Sequence, residues 1–234
     1  MSIRIFSQTL IWNHSGTGAY PGDWERSAYE LATAGFNMIF PNMLWAGLAH
    51  YASDILPRSW TFDRYGDQIS QCVLAARKYG LEVHIWKVTW NLSNTPKSFL
   101  EKLRRENRLQ KSKTNTEILW LCPSHQDNQK LEIDSLVEVT KKYDIDGIHL
   151  DYIRYPSPDG CYCQNCRQAF TQSTNQKVKH WPADVLKSGA PQKNFLSWRA
   201  DQITNFVKAV SEETKLIQPN LKVSAAVFND YPHC

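Results

Sequence analysis

One predicted strand combines an apolar pattern with polar side chains that could do chemistry. The segment DGIHLDYIRYP, residues 146–156, has apolar and aromatic residues that suit a buried β-strand, yet it also contains His149, Asp151 and Arg154. Burying an unpaired carboxylate there would cost several kcal/mol, on the order of 2–7. An aspartate beside a cation and aromatic rings is a candidate acid, base or nucleophile, so we interpret Asp151 as catalytic and Arg154 as its partner. A structural Asp–Arg pair would account for the same residues.

The alternation of side chains along this strand predicts which groups surround the carboxylate. Residues two apart share a face, so His149 is expected on the face of Asp151, whereas Leu150 and Tyr152 are expected on the other. Tyr155 follows where the chain leaves the sheet at its carboxyl end. We expect His149 and Tyr152 to tune or position Asp151, and these two residues with Tyr155 to contact the substrate.

The rest of the chain alternates between strand-like and helix-like patterns, as a parallel sheet covered by helices requires. Strands are predicted at 3–12, 37–45, 81–90, 117–123, 146–156 and 221–228. A (β/α)8 barrel and an open doubly wound sheet both fit this order. Since no G-x-G-x-x-G or P-loop follows a strand, the barrel is favoured. With about six strands evident, we expect a single (β/α) barrel catalytic domain over residues 1–234 that is incomplete at its C-terminal end.

Helices are predicted between these strands from their caps and their apolar spacing. Asp23 is the expected N-cap of the first helix, Thr95 caps a helix with Pro96 at its first position, and Ser124 with Asp127 forms a capping-box-like pair. A further helix is expected at 67–79 and a long one around residues 203–210. Residues 46–65 and 156–191 are expected to be irregular.

Composition limits the possible partners. The 234 residues are 42% hydrophobic and 21% charged, with a net charge of +4, which is too small to indicate nucleic-acid binding. The cationic segment at 104–113 is interpreted as a solvated loop. No apolar run is long enough for a membrane span, and the N-terminal segment is a poor signal peptide. We therefore expect a cytoplasmic protein unless a leader has been removed.

A cysteine cluster follows the Asp151 strand. Three thiols fall within the six residues CYCQNC: Cys161, Cys163 and Cys166. This spacing could hold a structural zinc ion, with His125, His180 or another cysteine as the fourth ligand. A free or partly disulfide-bonded loop is the alternative, with no cofactor at all. Cys72 and Cys122 are predicted to be buried thiols.

Five segments of the chain together have a recognisable order: AHYASDILPRSW, ARKYGLEVHIWKVTWN, WLCPSHQDNQKLEIDSLVEVTKKYDIDG, YDIDGIHLDYIRYP and VSAAVFND. In this order they resemble the glycosyl-hydrolase-like family 10. They cover nearly the whole chain, and their order and spacing are more specific than any one motif. The chain lacks the D-x-[LIV]-x-P-M-x-Y-type segment with which the family usually continues.

The resemblance implies a TIM barrel that hydrolyses O-glycosidic bonds in a polysaccharide or a peptidoglycan-type glycan. It makes Asp151 a catalytic carboxylate. It also implies that His84 and Trp86, at the end of the third strand, and Asn42, at the end of the second, line the sugar subsites. Trp45 is a candidate platform on which a sugar ring stacks.

Glycoside hydrolysis normally uses two carboxyl groups. The best second candidate is Asp230, just past the last strand, with Asn229 beside it on the substrate side. Asp127, Glu132 and Glu82 are expected to face away from the site. If the second carboxylate is absent, the chain is a carbohydrate-binding barrel without turnover. A zinc-dependent hydrolase built on the three-cysteine cluster is the other alternative.

Overall fold

The computed structural model describes residues 8–227. Its strands are β1 (Leu10–Asn13), β2 (Met38–Trp45), β3 (Leu48–Ala49), β4 (Glu82–Val88), β5 (Leu109–Lys111), β6 (Glu117–Leu121), β7 (Gly147–Asp151) and β8 (Lys222–Ala225). Five of them form a parallel sheet in the order β1-β2-β4-β7-β8, and the short β3 pairs antiparallel with β2. The central strand is therefore β4, with β2 and β7 on either side of it.

Helices occupy the connections between these strands. They are α1 (Trp24–Thr33), α2 (Trp60–Tyr65), α3 (Gln68–Tyr79), α4 (Lys97–Arg105), α5 (Gln126–Lys142), α6 (Gln164–Thr174), α7 (Ala183–Leu186) and α8 (Ala190–Ile217). No helix of the described chain combines the length and the apolar character needed to cross a membrane. Strands of one parallel sheet joined through helices have the architecture of a (β/α) barrel, here a partial one.

The helix starts agree with the sequence in one case and differ by one residue in two others. The side chain of Asp23 accepts a hydrogen bond from the backbone N–H of Arg26, so the predicted N-cap of α1 is confirmed. The N-cap of α4 is Pro96 rather than Thr95. The N-cap of α5 is His125, so Ser124 does not form the predicted capping box.

Two segments expected to be irregular contain regular structure. Residues 46–65 include β3 and α2, and residues 156–191 include α6 and α7. The expectation that 117–123 adds a strand to the main sheet is wrong, because β6 pairs antiparallel with β5 in a separate two-stranded sheet. The segment 104–113 is not a wholly solvated loop either. It contributes β5, and Arg108 is buried, with its Nε donating to Asn128 Oδ1 at 2.6 Å.

The main core lies between the outer face of the sheet and the helices. Strand residues of this core include Ile39, Val83, Ile85, Ile148 and Leu150, and α1, α3, α5 and α8 supply the residues that pack against them. The alternation of the strands dictates this division, because every second side chain points to the helices and the others point to the opposite, inner face.

One ion pair is fully buried in this core. Lys87 Nζ of β4 lies 3.0 Å from Glu132 Oε2 of α5, and neither side chain is exposed to solvent. Burial lowers the pKa of Lys87 and raises that of Glu132, and each charge partly offsets the effect on the other. The pair joins the central strand to the helix that follows β6.

The loop after β2 is held by a second buried carboxylate. Glu138 of α5 accepts hydrogen bonds from the Tyr51 hydroxyl at 2.8 Å, from the Ser53 hydroxyl at 2.6 Å and from the backbone N–H of Asp54 at 2.7 Å. Three donors satisfy a carboxylate that would otherwise be costly to bury. The helix thereby fixes the loop that leaves the carboxyl end of β2.

A second, smaller core lies beyond the carboxyl end of β7. Its buried members are Cys122, Cys161, Tyr162, Cys163, Cys166, Phe170, Val185, Phe195 and Trp198. They come from the end of β6, the segment after β7, and helices α6, α7 and α8. This core therefore packs the irregular segment after β7 against elements that are distant in sequence.

The buried ion pair makes a stability prediction. Lys87→Met leaves Glu132 buried without its cation, and we expect a loss of about 3–5 kcal/mol in the free energy of unfolding. The double variant Lys87→Met/Glu132→Leu removes both charges and should recover most of that loss. Urea denaturation of the three proteins measures the difference.

The exposed Lys130–Asp134 pair, 2.7 Å apart on α5, provides the control. Lys130→Met should change the stability by less than about 1 kcal/mol, as for other surface ion pairs. A double variant as unstable as Lys87→Met alone would show that the charge pairing does not account for the loss.

Candidate active site

The inner face of the sheet carries the residues that the sequence singled out. On β7, Ile148 and Leu150 point into the helix-side core, whereas His149 and Asp151 point to the inner face. Asp151 is the last residue of the strand, so its carboxylate lies at the carboxyl edge of the sheet. This is the edge at which (β/α) barrels bind their substrates.

Below Asp151 the inner residues form layers across the strands. The pairing aligns Asn42 of β2 with Trp86 of β4, Trp86 with His149 of β7, and His149 with Ser224 of β8. Each member comes from a different strand at the same height, which is how the interior of a barrel is filled.

The next layer towards the amino ends contains His84. The register places Trp12 opposite Phe40, and His84 opposite Gly147. A Cβ atom on Gly147 would lie 2.4 Å from His84 Nδ1, so the glycine leaves the space that the imidazole occupies. The strand β4 begins at Glu82, and His84 therefore lies near its start.

Both oxygens of the Asp151 carboxylate accept hydrogen bonds. Trp86 Nε1 donates to Oδ2 at 3.2 Å, and the backbone N–H of Tyr152 donates to Oδ1 at 2.7 Å. Tyr152 has a positive φ of 54°, which is unusual for a residue with a side chain, and Trp90 after β4 has a φ of 65°. The turn at Tyr152 ends the strand and directs its N–H at the carboxylate.

Two buried imidazoles lie under this carboxylate. Burial lowers the pKa of His149 and of His84, which favours the uncharged form of each ring. His149 Nδ1 is 2.9 Å from the Ser224 hydroxyl, and its Nε2 is buried without a hydrogen-bond partner among residues 8–227. Asn42 Oδ1 is likewise buried and unpartnered within that range. These two polar atoms flank Trp86.

Aromatic rings make up most of the inner wall. The Trp12 ring lies 5.6 Å from that of Trp86 and 5.5 Å from that of His149, and His14 contacts Trp86 edge-on at 4.5 Å. Trp45 packs against the same inner cluster. Trp12 is 44% exposed, so part of this wall is open to solvent.

Arg154 lies beside the site on the segment that follows β7. Its guanidinium is 5.0 Å from the centre of the Tyr152 ring and 5.7 Å from that of Trp120, and its Nη1 lies 3.4 Å from the carbonyl oxygen of Tyr155. These contacts orient the cation at the carboxyl edge.

Two sequence-based placements need correction. His84 does not lie at the carboxyl end of β4; its Nε2 is 3.3 Å from Glu82 Oε2 near the start of the strand, below the Trp86 layer. Tyr155 does not face the inner wall. Its ring packs against the second core, with the Arg199 guanidinium 4.0 Å above it, because the turn at Tyr152 ends the strand alternation.

Contacts locate two of the three carboxylates expected to face away from the site. Glu132 pairs with Lys87 on the helix side. Glu82 shares the inner face with His84 but lies at the amino end of β4, where it also pairs with Lys222 at 2.7 Å, so it is remote from the carboxyl edge. Asp127 lies in the first turn of α5. Asp230 and Asn229, predicted as the second carboxylate and its neighbour, lie outside the described residues.

The three clustered cysteines converge with a fourth one. The sulfur atoms of Cys122, Cys161, Cys163 and Cys166 all lie within 4.8 Å of one another, and all four residues are buried. Neither His125 nor His180 belongs to the group. Cys122 is buried as predicted, but its position after β6 gave no local signal that it joins the others.

Sequence reasoning also missed a buried histidine behind the site. His50 Nδ1 lies 2.6 Å from Thr61 Oγ1 and 3.1 Å from Ser59 Oγ. Gly16 packs on this histidine and on the backbone of Asn42, since a Cβ there would meet both within 3 Å. His50 therefore supports the turn between β1 and α1 that carries His14.

A sequence model of one family matches nearly the whole chain. The family is described as glycosyl hydrolase-like 10, and the match covers residues 23–232. An S-layer-related protein from Niallia circulans is 23% identical over 134 residues, which is 51% of this chain and 8% of that protein. The chain thus spans a small part of this curated relative.

Solved structures of glycosidases share the fold. The glycoside hydrolase domain of PgaB (BpsB) from Bordetella bronchiseptica matches with a TM-score of 0.67 at 12% identity, covering 94% of this chain and 65% of that one. A β-galactosidase from Bacillus circulans sp. alkalophilus matches with a TM-score of 0.67 at 12% identity over 97% of this chain and 37% of its own. The α-L-fucosidase isoenzyme 2 of Paenibacillus thiaminolyticus matches with a TM-score of 0.65 at 16% identity, and the match covers 94% of this chain and 32% of that one. At these identities the likeness shows the fold, which is the TIM-barrel type.

The buried His50 makes a prediction about acid stability. Burial lowers its pKa from 6.5 to about 4, so the unfolded chain binds a proton at a higher pH than the folded one. The stabilising contribution is complete above pH 6.5 and is lost as the pH falls towards 4, amounting to roughly 3 kcal/mol. His50→Gln should therefore show a shallower decline of unfolding free energy between pH 6.5 and 4 than the wild type.

Denaturant titrations at half-unit pH intervals measure this slope. His180→Gln, which removes an exposed imidazole, is the control for loss of a histidine. Equal slopes for His50→Gln and the wild type would contradict the assignment.

Proposed function

The chain belongs to the glycosyl hydrolase-like 10 family, and from that premise we propose that it hydrolyses O-glycosidic bonds with Asp151 as its principal catalytic carboxylate. The observation that carries this proposal is the position of Asp151. It ends β7, an interior strand of the sheet, at the carboxyl edge of a partial (β/α) barrel, above an inner wall of aromatic rings. Glu82, which contacts His84 on that wall, lies at the opposite, amino end of β4.

The hydrogen bonds of Asp151 suit a group that reacts in a fixed orientation. Trp86 and the backbone of Tyr152 hold one oxygen each, which limits rotation of the carboxylate. An aspartate so held can act as nucleophile or as acid–base catalyst, depending on the distance to its partner carboxyl group.

The wall below Asp151 suits a sugar. Flat rings such as Trp12 and Trp86 offer apolar faces to the C–H patches of a pyranose, and Trp45 extends this surface at the end of β2. His149 Nε2 and Asn42 Oδ1 are buried polar atoms that would hydrogen-bond to hydroxyl groups. Arg154 and Tyr152 would position the carboxylate and the leaving group at the rim.

The second carboxyl group is proposed to be Asp230. In the sequence it follows β8, the strand that pairs in parallel with β7. In a barrel, the residues just after a strand belong to the carboxyl edge, which is the edge of Asp151. Asn229 beside it would contact the substrate. A separation of about 5 Å between the two carboxyl groups corresponds to retention of the anomeric configuration, and one of about 6.5–9.5 Å corresponds to inversion.

The substrate is proposed to be an oligo- or polysaccharide, including a peptidoglycan-type glycan. The relatives support a carbohydrate in general terms, since the solved structures carry the names fucosidase, β-galactosidase and glycoside hydrolase domain. We propose neither a metal nor another cofactor in the reaction itself.

Asp151→Asn provides the direct test. Asparagine keeps the shape of the side chain but cannot act as a carboxylate nucleophile, acid or base. We therefore expect reducing-sugar release to fall by on the order of 10²–10⁴-fold. The assay uses a panel of polysaccharides with denuded peptidoglycan included. Asp159→Asn, on the exposed part of the same segment, is the matched control and should retain activity.

Binding separates the proposal from its main alternative. Calorimetric titration of the Asp151→Asn variant with oligosaccharides that the wild type cleaves should show retained affinity, because the aromatic wall is intact. If the wild type binds oligosaccharides from the panel but releases product from none of them, the chain is a carbohydrate-binding barrel without turnover. Activity that survives in Asp151→Asn would refute the role of this residue.

A further inference from the structure

The sulfur atoms of four cysteines lie close together in the second core, beyond the carboxyl end of β7. Cys122 comes directly after β6, Cys161 and Cys163 lie at the end of the segment after β7, and Cys166 is in the first turn of α6. Cys122 Sγ is 3.5 Å from Cys166 Sγ and 3.6 Å from Cys163 Sγ, and Cys163 Sγ is 3.7 Å from Cys166 Sγ. Two chain segments about forty residues apart thus supply one group of ligand atoms.

These distances distinguish a metal site from disulfide bonds. A disulfide joins two sulfurs at about 2.05 Å, far closer than any pair here. Four sulfurs bound tetrahedrally at the zinc–sulfur distance of about 2.3 Å would lie about 3.8 Å apart, which follows from the geometry of a tetrahedron. The sulfur–sulfur distances of 3.5, 3.6 and 3.7 Å agree with that separation.

Two features around the sulfur atoms suit a site of metal-bound thiolates. Helix α6 begins at Gln164 with Cys163 as its N-cap, so the partial positive charge of the helix start lies at Cys163 and Cys166. The Ser124 hydroxyl lies 3.2 Å from both Cys122 Sγ and Cys166 Sγ and can donate to either. Hydrogen bonds from outer groups to ligating atoms are typical of metal sites.

From this geometry we propose that Cys122, Cys161, Cys163 and Cys166 bind one Zn²⁺ ion in a closed tetrahedral site of four thiolates. Binding replaces four S–H bonds with four Zn–S bonds and releases four protons to solvent, with no change in oxidation state. The site would have a net charge of minus two, which the start of α6 and the Ser124 hydroxyl would partly offset.

The four-cysteine set assigns a structural role to the ion. All four positions of the tetrahedron are filled by protein ligands, and a catalytic zinc needs an open position for water. The site therefore argues against a zinc-dependent hydrolase at this cluster. Its effect is to join the end of β6 to the start of α6, which fixes the far end of the segment that begins at Asp151.

Metal analysis of the purified full-length chain tests the proposal. Protein prepared with zinc and a reducing agent, then freed of loosely bound metal, should contain one zinc per chain by mass spectrometry. Cys122→Ser and Cys163→Ser should each lower the zinc content at least tenfold. Cys72→Ser is the matched control, because Cys72 is a buried cysteine on α3 in the other core, and it should keep one zinc.

Two readouts on the wild type do not depend on how the variants fold. Cobalt-substituted protein should show the intense visible absorption of a tetrahedral ion and a strong thiolate charge-transfer band. X-ray absorption of the zinc protein should give four sulfur neighbours at about 2.3 Å. Any one of three results would overturn the proposal. The first is wild-type protein that contains no zinc, and the second is nitrogen or oxygen atoms bound directly to the zinc. The third is a loss of zinc in Cys72→Ser equal to that in the other variants.

Hydrogen exchange tests the structural role separately from any glycosidase activity. Removal of zinc with a chelator should raise exchange in residues 152–174 while β2 and β4 keep their protection. Unchanged exchange in 152–174 would refute the structural role. A zinc-loaded protein that cleaves no sugar would leave the metal site standing and reject only the proposed activity.

Discussion

The parallel register between β4 and β7 is the constraint on which the site depends. It sets Trp86 opposite His149, and a shift of β7 by one residue against β4 would turn His149 and Asp151 to the helices, because side chains alternate with a period of two. Contacts on both faces support this arrangement. On the helix side, the Lys87–Glu132 pair requires that Lys87 of β4 face α5, and on the inner side Gly147 of β7 leaves the space that the His84 imidazole of β4 fills. The charged pair costs desolvation energy, but it is made only when this face of β4 meets the helices.

The sequence predicted the parallel, helix-covered sheet and several helix limits, because these features follow from short-range periodicity and caps. Asp23 shows this most clearly, since its side chain caps the helix in the predicted way. The pairing of β6 could not be predicted, because the three-residue β5 gives no periodic signal and strand partners depend on long-range contacts. Helices within 156–191 were missed since their apolar residues face a second core that local patterns do not reveal.

The candidate site was predictable where strand alternation holds and not beyond it. His149 and Asp151 share a face as expected, because both lie within β7. Tyr155 was misplaced because the positive φ at Tyr152 ends the alternation, and a tyrosine gives no sequence signal for that conformation. Cys122 was not linked to the later cysteines, since only the packing of the chain brings residues so far apart in sequence together.

The segment after β7 has two fixed ends, and this couples the inner face to the second core. At its start the backbone of Tyr152 donates to Asp151, and at its end Cys161 and Cys163 converge with Cys122. Within the described residues, the part between these ends has one isolated bridge, from Gly160 to Ser112, and no pairing with the main sheet. The main sheet alone therefore cannot fix the position of Arg154 on this segment. The geometry around the carboxylate therefore depends on contacts in the second core as well as on the barrel strands. A change that loosens the cysteine cluster should reach the carboxyl edge without altering the register of the sheet.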